Sequence, residues 1–134
     1  KDIQIAKKTV ETEIQALKKL SSSFNRSSHF SKAVNLLSKM KGKCLVVGVG
    51  KSYIVSLKVS ATLSSLGTPS VAFSANDLQH GGLGAIQKNN DVLLIFSVSG
   101  ESSELNSILR FANRYNISVI GVSCKSSSML LKWP

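Results

Sequence analysis

The stretch LVVGVGKS, Leu45 to Ser52, runs from an apolar segment into Gly-x-Gly-Lys-Ser. That ending invites comparison with the phosphate loop of nucleotide hydrolases. Such a loop requires Gly-x-x-x-x-Gly-Lys-Ser/Thr, because its first glycine starts the turn that folds backbone N–H groups around a phosphate. Counting back from Gly50, that glycine would stand at position 45, where the chain has Leu45. The intervening Val46, Val47, Gly48 and Val49 read as a strand, not as an open loop. The spacing therefore excludes the nucleotide loop. It leaves a buried strand and a tight glycine turn, with Lys51 and Ser52 at the start of the next element.

Outward from this strand the pattern alternates. CLVVGV (44–49), DVLLIFS (91–97) and ISVIGVS (117–123) are continuous apolar runs, the mark of strands covered on both faces, and PSVAF (69–73) is a shorter one. Between them, SYIVSLKVSATLSSLG (52–67) reads as a helix closed by Gly67, and ESSELNSILRFANRYN (101–116) as a second. SANDLQHGGLGAIQKNN (74–90) is a loop with about one helical turn. Strands alternating with helices imply right-handed crossovers and a parallel sheet. The expected fold is a three-layer α/β/α sandwich of flavodoxin-like type. Residues 1–43 form an N-terminal helical extension of the same domain, and 44–134 form its ligand-binding part. In the extension, Ile3, Val10, Ile14, Leu17 and Leu20 make 2–20 an amphipathic helix, SSSFNRSS (21–28) a polar loop, and Phe30 to Met40 a second helix.

The net charge of +10 is unevenly placed. Residues 1–43 carry ten Lys or Arg against three acids, and 44–134 carry seven against four. A nucleic-acid surface would interleave aromatic with basic residues, but the basic segment offers only Phe24 and Phe30. The basicity reads as a solvated helix face, or as a mild field attracting an anionic small molecule. No apolar run reaches the roughly 18–20 residues of a membrane span. The charged, amphipathic start is not a signal peptide. Cys44 and Cys124 are far apart and accompany apolar runs, so they read as buried or incidental thiols in a reducing cytoplasm, with no metal cluster expected.

SVSGESS (97–103) is the most informative loop. Ser97, Ser99, Ser102 and Ser103 supply hydroxyls, Gly100 permits close backbone approach, and a helix N-terminus behind them would offer free N–H groups. GKS (50–52) opens at the same sheet edge, the edge where open α/β sheets bind ligands, and adds a cation and another hydroxyl. Each loop alone could be an ordinary helix start. Side by side they favour an anion site built from Gly50, Ser52, Ser97, Ser99, Gly100, Ser102 and Ser103.

GVGKS (48–52), LQHGGLG (78–84) and SVSGESSEL (97–105), with LGTPS (66–70) between the first two, resemble the sugar isomerase (SIS) domain. Within it they are similar to the D-arabinose-5-phosphate isomerase family of 3-deoxy-manno-octulosonate biosynthesis. The resemblance covers the whole chain. It implies that Ser52, Ser97, Ser99 and Ser102 hold the substrate phosphate and that Lys51, His80 and Glu104 occupy catalytic positions, without cofactor or metal. Three residues depart from the usual pattern: Tyr53 after GKS, Gly82 where the family has Asp, and Val98 where it has a polar residue between two serines. None removes a matched catalytic residue. The resemblance also implies a homotetramer, and family members continue past the position of Pro134 with a further strand, a helix carrying a second catalytic Glu, a later His and often two CBS modules.

The chemistry supports the same residues independently. Aldose–ketose interconversion moves a proton between neighbouring carbons through an enediol, and needs a base, a group polarising the carbonyl and a grip on the phosphate. Glu104, read as one turn into the helix, either complements the helix dipole or transfers the proton. Lys51 could polarise a carbonyl or pair with phosphate, and His80 could relay a proton or bind a sugar hydroxyl. Glu101 reads as a solvated dipole partner and His29 as inert. The leading reading is an isomerase of D-ribulose 5-phosphate and D-arabinose 5-phosphate. A non-catalytic sugar-phosphate sensor on the same fold, and an interaction domain with basic helices, are the alternatives.

Overall fold

A computed structural model describes residues 1–24 and 29–133 of the chain. The chain forms two compact units, Lys1–Asn35 and a second from Leu36 onward. The first holds α1 (Asp2–Ser23) and the start of α2 (His29–Lys39). The apolar stripe of α1 stays exposed, from 39% at Ile14 to 73% at Ile3. This helix runs three residues past its expected end at Leu20. Ser22 and Ser23 bond back to the Lys18 and Leu20 carbonyls, which keeps polar residues helical there. His29 opens α2, one residue before the expected start at Phe30. Residues 25–28 of the expected polar loop lie outside the described residues.

The second unit is a four-stranded parallel sheet in the order β2-β1-β3-β4, flanked by helices. Its strands are β1 (Cys44–Gly48), β2 (Ser70–Ser74), β3 (Val92–Phe96) and β4 (Ser118–Val122). β1 and β3 are central, which is why their sequences are apolar without alternation. β2 and β4 lie on the two sides of the described sheet and are half-buried.

Two cores sandwich the sheet. On one face Leu45, Val47, Leu93 and Ile95 meet Leu78 of α4 (Ala75–Gln79), Leu130 of α6 (Met129–Lys132) and the inner stripe of α5 (Leu105–Arg114). That stripe is Leu105, Ile108, Leu109 and Ala112, at the i, i+3, i+4, i+7 spacing of one helix face. Full burial of each such Leu or Ile is worth about 1.5–3 kcal/mol, so this face carries most of the hydrophobic stabilisation. On the other face Cys44, Val46 and Leu94 meet Leu37, Met40, and Val59 and Leu63 of α3 (Lys51–Ser65). Burial pushes the Cys44 thiol up to about 11, whereas Cys124 is exposed.

Helix α3 approaches the sheet through small residues. Ser56 and Ser60 are buried while Ile54, Val55 and Leu57 are exposed, the reverse of an ordinary amphipathic helix. A β-carbon on Gly48 would collide with the Ser52 carbonyl group. Glycine at the end of β1 therefore lets the first turn of α3 sit directly on the strand, which sets the position of Lys51 and Ser52. No helix among the described residues is long and apolar enough to cross a membrane.

Candidate functional site

Because all four strands are parallel, their carboxyl ends share one edge. Gly48 is in register with Ser74 of β2 and Phe96 of β3, and Phe96 with Val122 of β4. Adjacent strands lie about 4.8 Å apart, so the segments leaving β1, β2, β3 and β4 are neighbours on that edge. These are Gly50–Ser52, Ser74–Gly81, Ser97–Glu104 and Ser123–Ser128. The three motifs singled out in the sequence thus come together by topology.

The first segment turns at Gly50, the N-cap of α3. Lys51 is the first helical residue and is exposed, and Ser52 is half-buried with its N–H donated to the Val49 carbonyl at 3.1 Å. Among the described residues no carboxylate pairs with the Lys51 ammonium. The second segment enters α4 through Ser74, whose hydroxyl oxygen accepts the Asp77 N–H at 3.1 Å. It leaves through His80, the exposed C-cap.

The serine loop is ordered from within. Ser97 is 5% exposed, and its Oγ accepts the Gly100 N–H at 3.0 Å. Ser99 Oγ accepts the Glu101 N–H at 3.2 Å. In both pairs the serine oxygen is the acceptor, so each hydroxyl proton remains available to donate to an anion. Gly100 has φ +65°, the left-handed region, and a β-carbon there would collide with the Ser128 side chain. Only glycine suits both the turn and that close approach. Val98 is 69% exposed beside these serines, an apolar side chain on the rim of a polar loop.

Helix α5 begins at Leu105, four residues later than its composition suggests. Ser102–Glu104 form a turn that enters it, with the Ser102 and Ser103 carbonyls accepting the Leu105 and Asn106 N–H groups. Glu104 is consequently the N-cap of α5 and not a residue one turn inside it. The carboxylate is thereby held at the helix mouth, half-buried, where Ser103 Oγ donates to its Oε2 at 3.2 Å.

Gln79, which nothing in composition or spacing marks out, links two of the motifs: its side-chain amide donates to the Glu104 carbonyl. It ties the His80 segment to the mouth of α5. Among the described residues no side-chain hydrogen bond joins Lys51, Ser52 or His80 to the serine loop. Glu101 is not simply solvated. Its carboxylate accepts the Met129 N–H at 3.2 Å and lies 3.5 Å from Lys125 Nζ. No group of three or more His, Cys, Asp or Glu among the described residues is placed to hold a metal ion. The edge therefore offers hydroxyl donors, one unpaired cation and one carboxylate at a helix mouth, a set suited to a phosphorylated ligand.

Comparison with known proteins bears on the family and the fold. The SIS domain family matches residues 36–132. The arabinose 5-phosphate isomerase KdsD of Pseudomonas aeruginosa is 41% identical over 103 residues, which is 77% of this chain and 31% of that protein. The uncharacterized protein RP505 of Rickettsia prowazekii is 34% identical over 96% of this chain and 39% of its own length. A sugar-phosphate complex of Escherichia coli CFT073 c3406 superposes with a TM-score of 0.87 at 31% identity, over 96% of this chain and 67% of that one. The chain thus spans less than half the length of the two curated relatives. With the family match over most of its length and the motif loops gathered at one sheet edge, the chain belongs to the SIS domain family.

Proposed function

We propose that this chain carries the phosphate-binding and part of the catalytic apparatus of an aldose–ketose isomerase that interconverts D-ribulose 5-phosphate and D-arabinose 5-phosphate. The observation that carries this reading is the serine loop. There the Ser97 and Ser99 hydroxyl oxygens accept N–H groups of the loop itself, which leaves their protons to donate to an anion, and among the described residues no carboxylate pairs with Lys51 at the neighbouring strand end. The likeness to arabinose 5-phosphate isomerases supports the choice of sugar.

In this reading Gly50, Ser52, Ser97, Ser99, Gly100, Ser102 and Ser103 hold the phosphate, which anchors the sugar and restrains its loss from the enediol. From the ketose, a base removes a proton from C1 as the C2 carbonyl oxygen gains one, giving the enediol. Returning a proton to C2 while the C1 hydroxyl loses its own gives the aldose. Glu104, at the mouth of α5, is suited to carry the proton between carbons. Lys51 stabilises the negative charge that develops on the carbonyl oxygen, and His80 binds a sugar hydroxyl or relays the oxygen-bound proton. No cofactor or metal takes part. The protein would work in the cytoplasm as a homotetramer, with the exposed stripe of α1 buried between subunits, and would supply lipopolysaccharide synthesis. The test is to incubate the full-length gene product with D-ribulose 5-phosphate and follow arabinose 5-phosphate by NMR. No turnover, with sugar phosphate still bound, would replace the isomerase by a sensor.

A further inference from the structure

The serine loop is fastened from behind by a segment that none of its motif residues belongs to. The Val98 carbonyl accepts the Cys124 N–H and the Ser123 hydroxyl, both at 3.1 Å, and the Gly100 carbonyl accepts the Leu130 N–H at 3.0 Å. Glu101 supplies the side-chain member of this set, taking the Met129 N–H at 3.2 Å with Lys125 Nζ 3.5 Å away. Ser128, fully buried, fills the space against Gly100. These contacts hold Val98–Glu101 out of α5, although its sequence is compatible with helix from Glu101 onward.

A carboxylate one residue from Gly100 is a poor neighbour for a phosphate dianion unless its charge is directed elsewhere. Here it is directed to the far side, onto an N–H donor and an ammonium. We propose that Glu101 is a positioning residue of the phosphate loop. By gripping Met129 N–H it holds Gly100 in the left-handed turn and keeps the Ser99 hydroxyl, whose oxygen caps the Glu101 N–H, aimed at the ligand. Lys125 neutralises the carboxylate so that the loop remains receptive to an anion. This assignment deepens the phosphate-site reading and rests on it.

The experiment uses the full-length gene product and compares the parent with Glu101→Ala, Glu101→Gln and Lys125→Ala. Arabinose 5-phosphate binding is measured by titration calorimetry and turnover by NMR, with melting temperature recorded for each. Glu101→Ala should raise Kd and KM about tenfold, the fold-change of one charge-assisted hydrogen bond, with kcat changed less than about threefold. Glu101→Gln keeps an oxygen acceptor for the Met129 N–H and should restore most of the affinity. Lys125→Ala leaves the carboxylate uncompensated and should weaken binding roughly two- to fivefold. A merely structural role would lower the melting temperature and the active fraction with Kd unmoved. Kd within about twofold of the parent in both Glu101 variants overturns the proposal, as does an equal loss in Gln and Ala variants. If the alanine variant does not fold, the Gln variant and Lys125→Ala decide. A parent protein that binds no sugar phosphate overturns the underlying site reading, and the role of Glu101 falls with it.

Discussion

Two lysines bracket the same strand, and they lead opposite lives. Lys43 precedes β1 at the amino end of the sheet. Its ammonium lies 2.8 Å from Asp91 Oδ2 and 3.1 Å from the Ala85 carbonyl, and its backbone N–H donates to Asp91 Oδ1 at 2.8 Å. Asp91 is 4% exposed and also accepts the Gln87 N–H at 2.8 Å. Burial by itself would raise the Asp91 carboxyl. The Lys43 ammonium and the two backbone donors more than offset it and hold the group below the usual carboxylate range. Lys51 follows β1 at the carboxyl end, is exposed, and has no carboxylate paired with it among the described residues. One end of the strand has closed its polar groups on one another and clips β1 to the segment entering β3. The other end leaves hydroxyl protons and a cation open. Stability resides where donors and acceptors are matched, and binding capacity resides where they are not.

The largest way to test this contrast is Asp91→Ala. It strands the part-buried Lys43 ammonium and two part-buried N–H donors, so unfolding free energy by denaturant titration should fall by about 2–4 kcal/mol. Sugar-phosphate affinity of the molecules that remain folded should be unchanged. A loss below about 1 kcal/mol would mean that the amino-end cluster is not what clips the strands.

Next comes the open end. Replacing both Ser97 and Ser99 by Ala should weaken binding of a sugar phosphate by about 2–4 kcal/mol, at roughly 1–2 kcal/mol per hydrogen bond to a charged group. The dephosphorylated sugar should bind weakly to both forms. Ser97 also caps the Gly100 N–H, so the single Ser97→Ala variant should lose some stability while Ser99→Ala loses little. Unchanged phosphosugar binding by the double variant would place the cradle elsewhere.

Lys51→Ala should lower isomerase turnover on the order of a hundredfold, as for removal of one electrostatic stabiliser. Its melting temperature should match the parent, because exposed groups outside packed networks contribute within about 0.5 kcal/mol. Activity within about twofold of the parent would remove Lys51 from the chemistry.

The smallest effect is the pH dependence of the clip. Because the folded-state value of Asp91 is depressed, its contribution is fully present above the ordinary carboxylate value. It is lost as pH falls through the lower folded value. The stability gap between parent and Asp91→Asn should therefore be widest at neutral pH and narrow below about pH 4. A gap that widens in acid would reverse the sign assigned here.

The difference between the two ends also explains what could be read in advance. GKS and SVSGESS are legible because open sites need particular residue types, glycine and hydroxyls, at short spacing. The Lys43–Asp91 clip is not legible, because its partners are 48 residues apart and each looks like an ordinary surface charge. The start of α5 departs from its sequence pattern for a related reason. Glu101, Ser102, Ser103 and Glu104 are compatible with a first helical turn, and only the contacts of 98–101 with 123–130 draw the chain out of it.

Read alone, the chain specifies the alternation of strand and helix, the apolar runs of its strands and the family. Each of these follows from local periodicity or from residues close together in the chain. Only the fold settles that α3 meets the sheet through serines, that Glu104 stands at a helix mouth, and that Glu101 faces Met129. These depend on which distant segments become neighbours. A hydrogen bond across the fold is worth no more than one along it, yet it leaves no periodic trace in the chain that makes it.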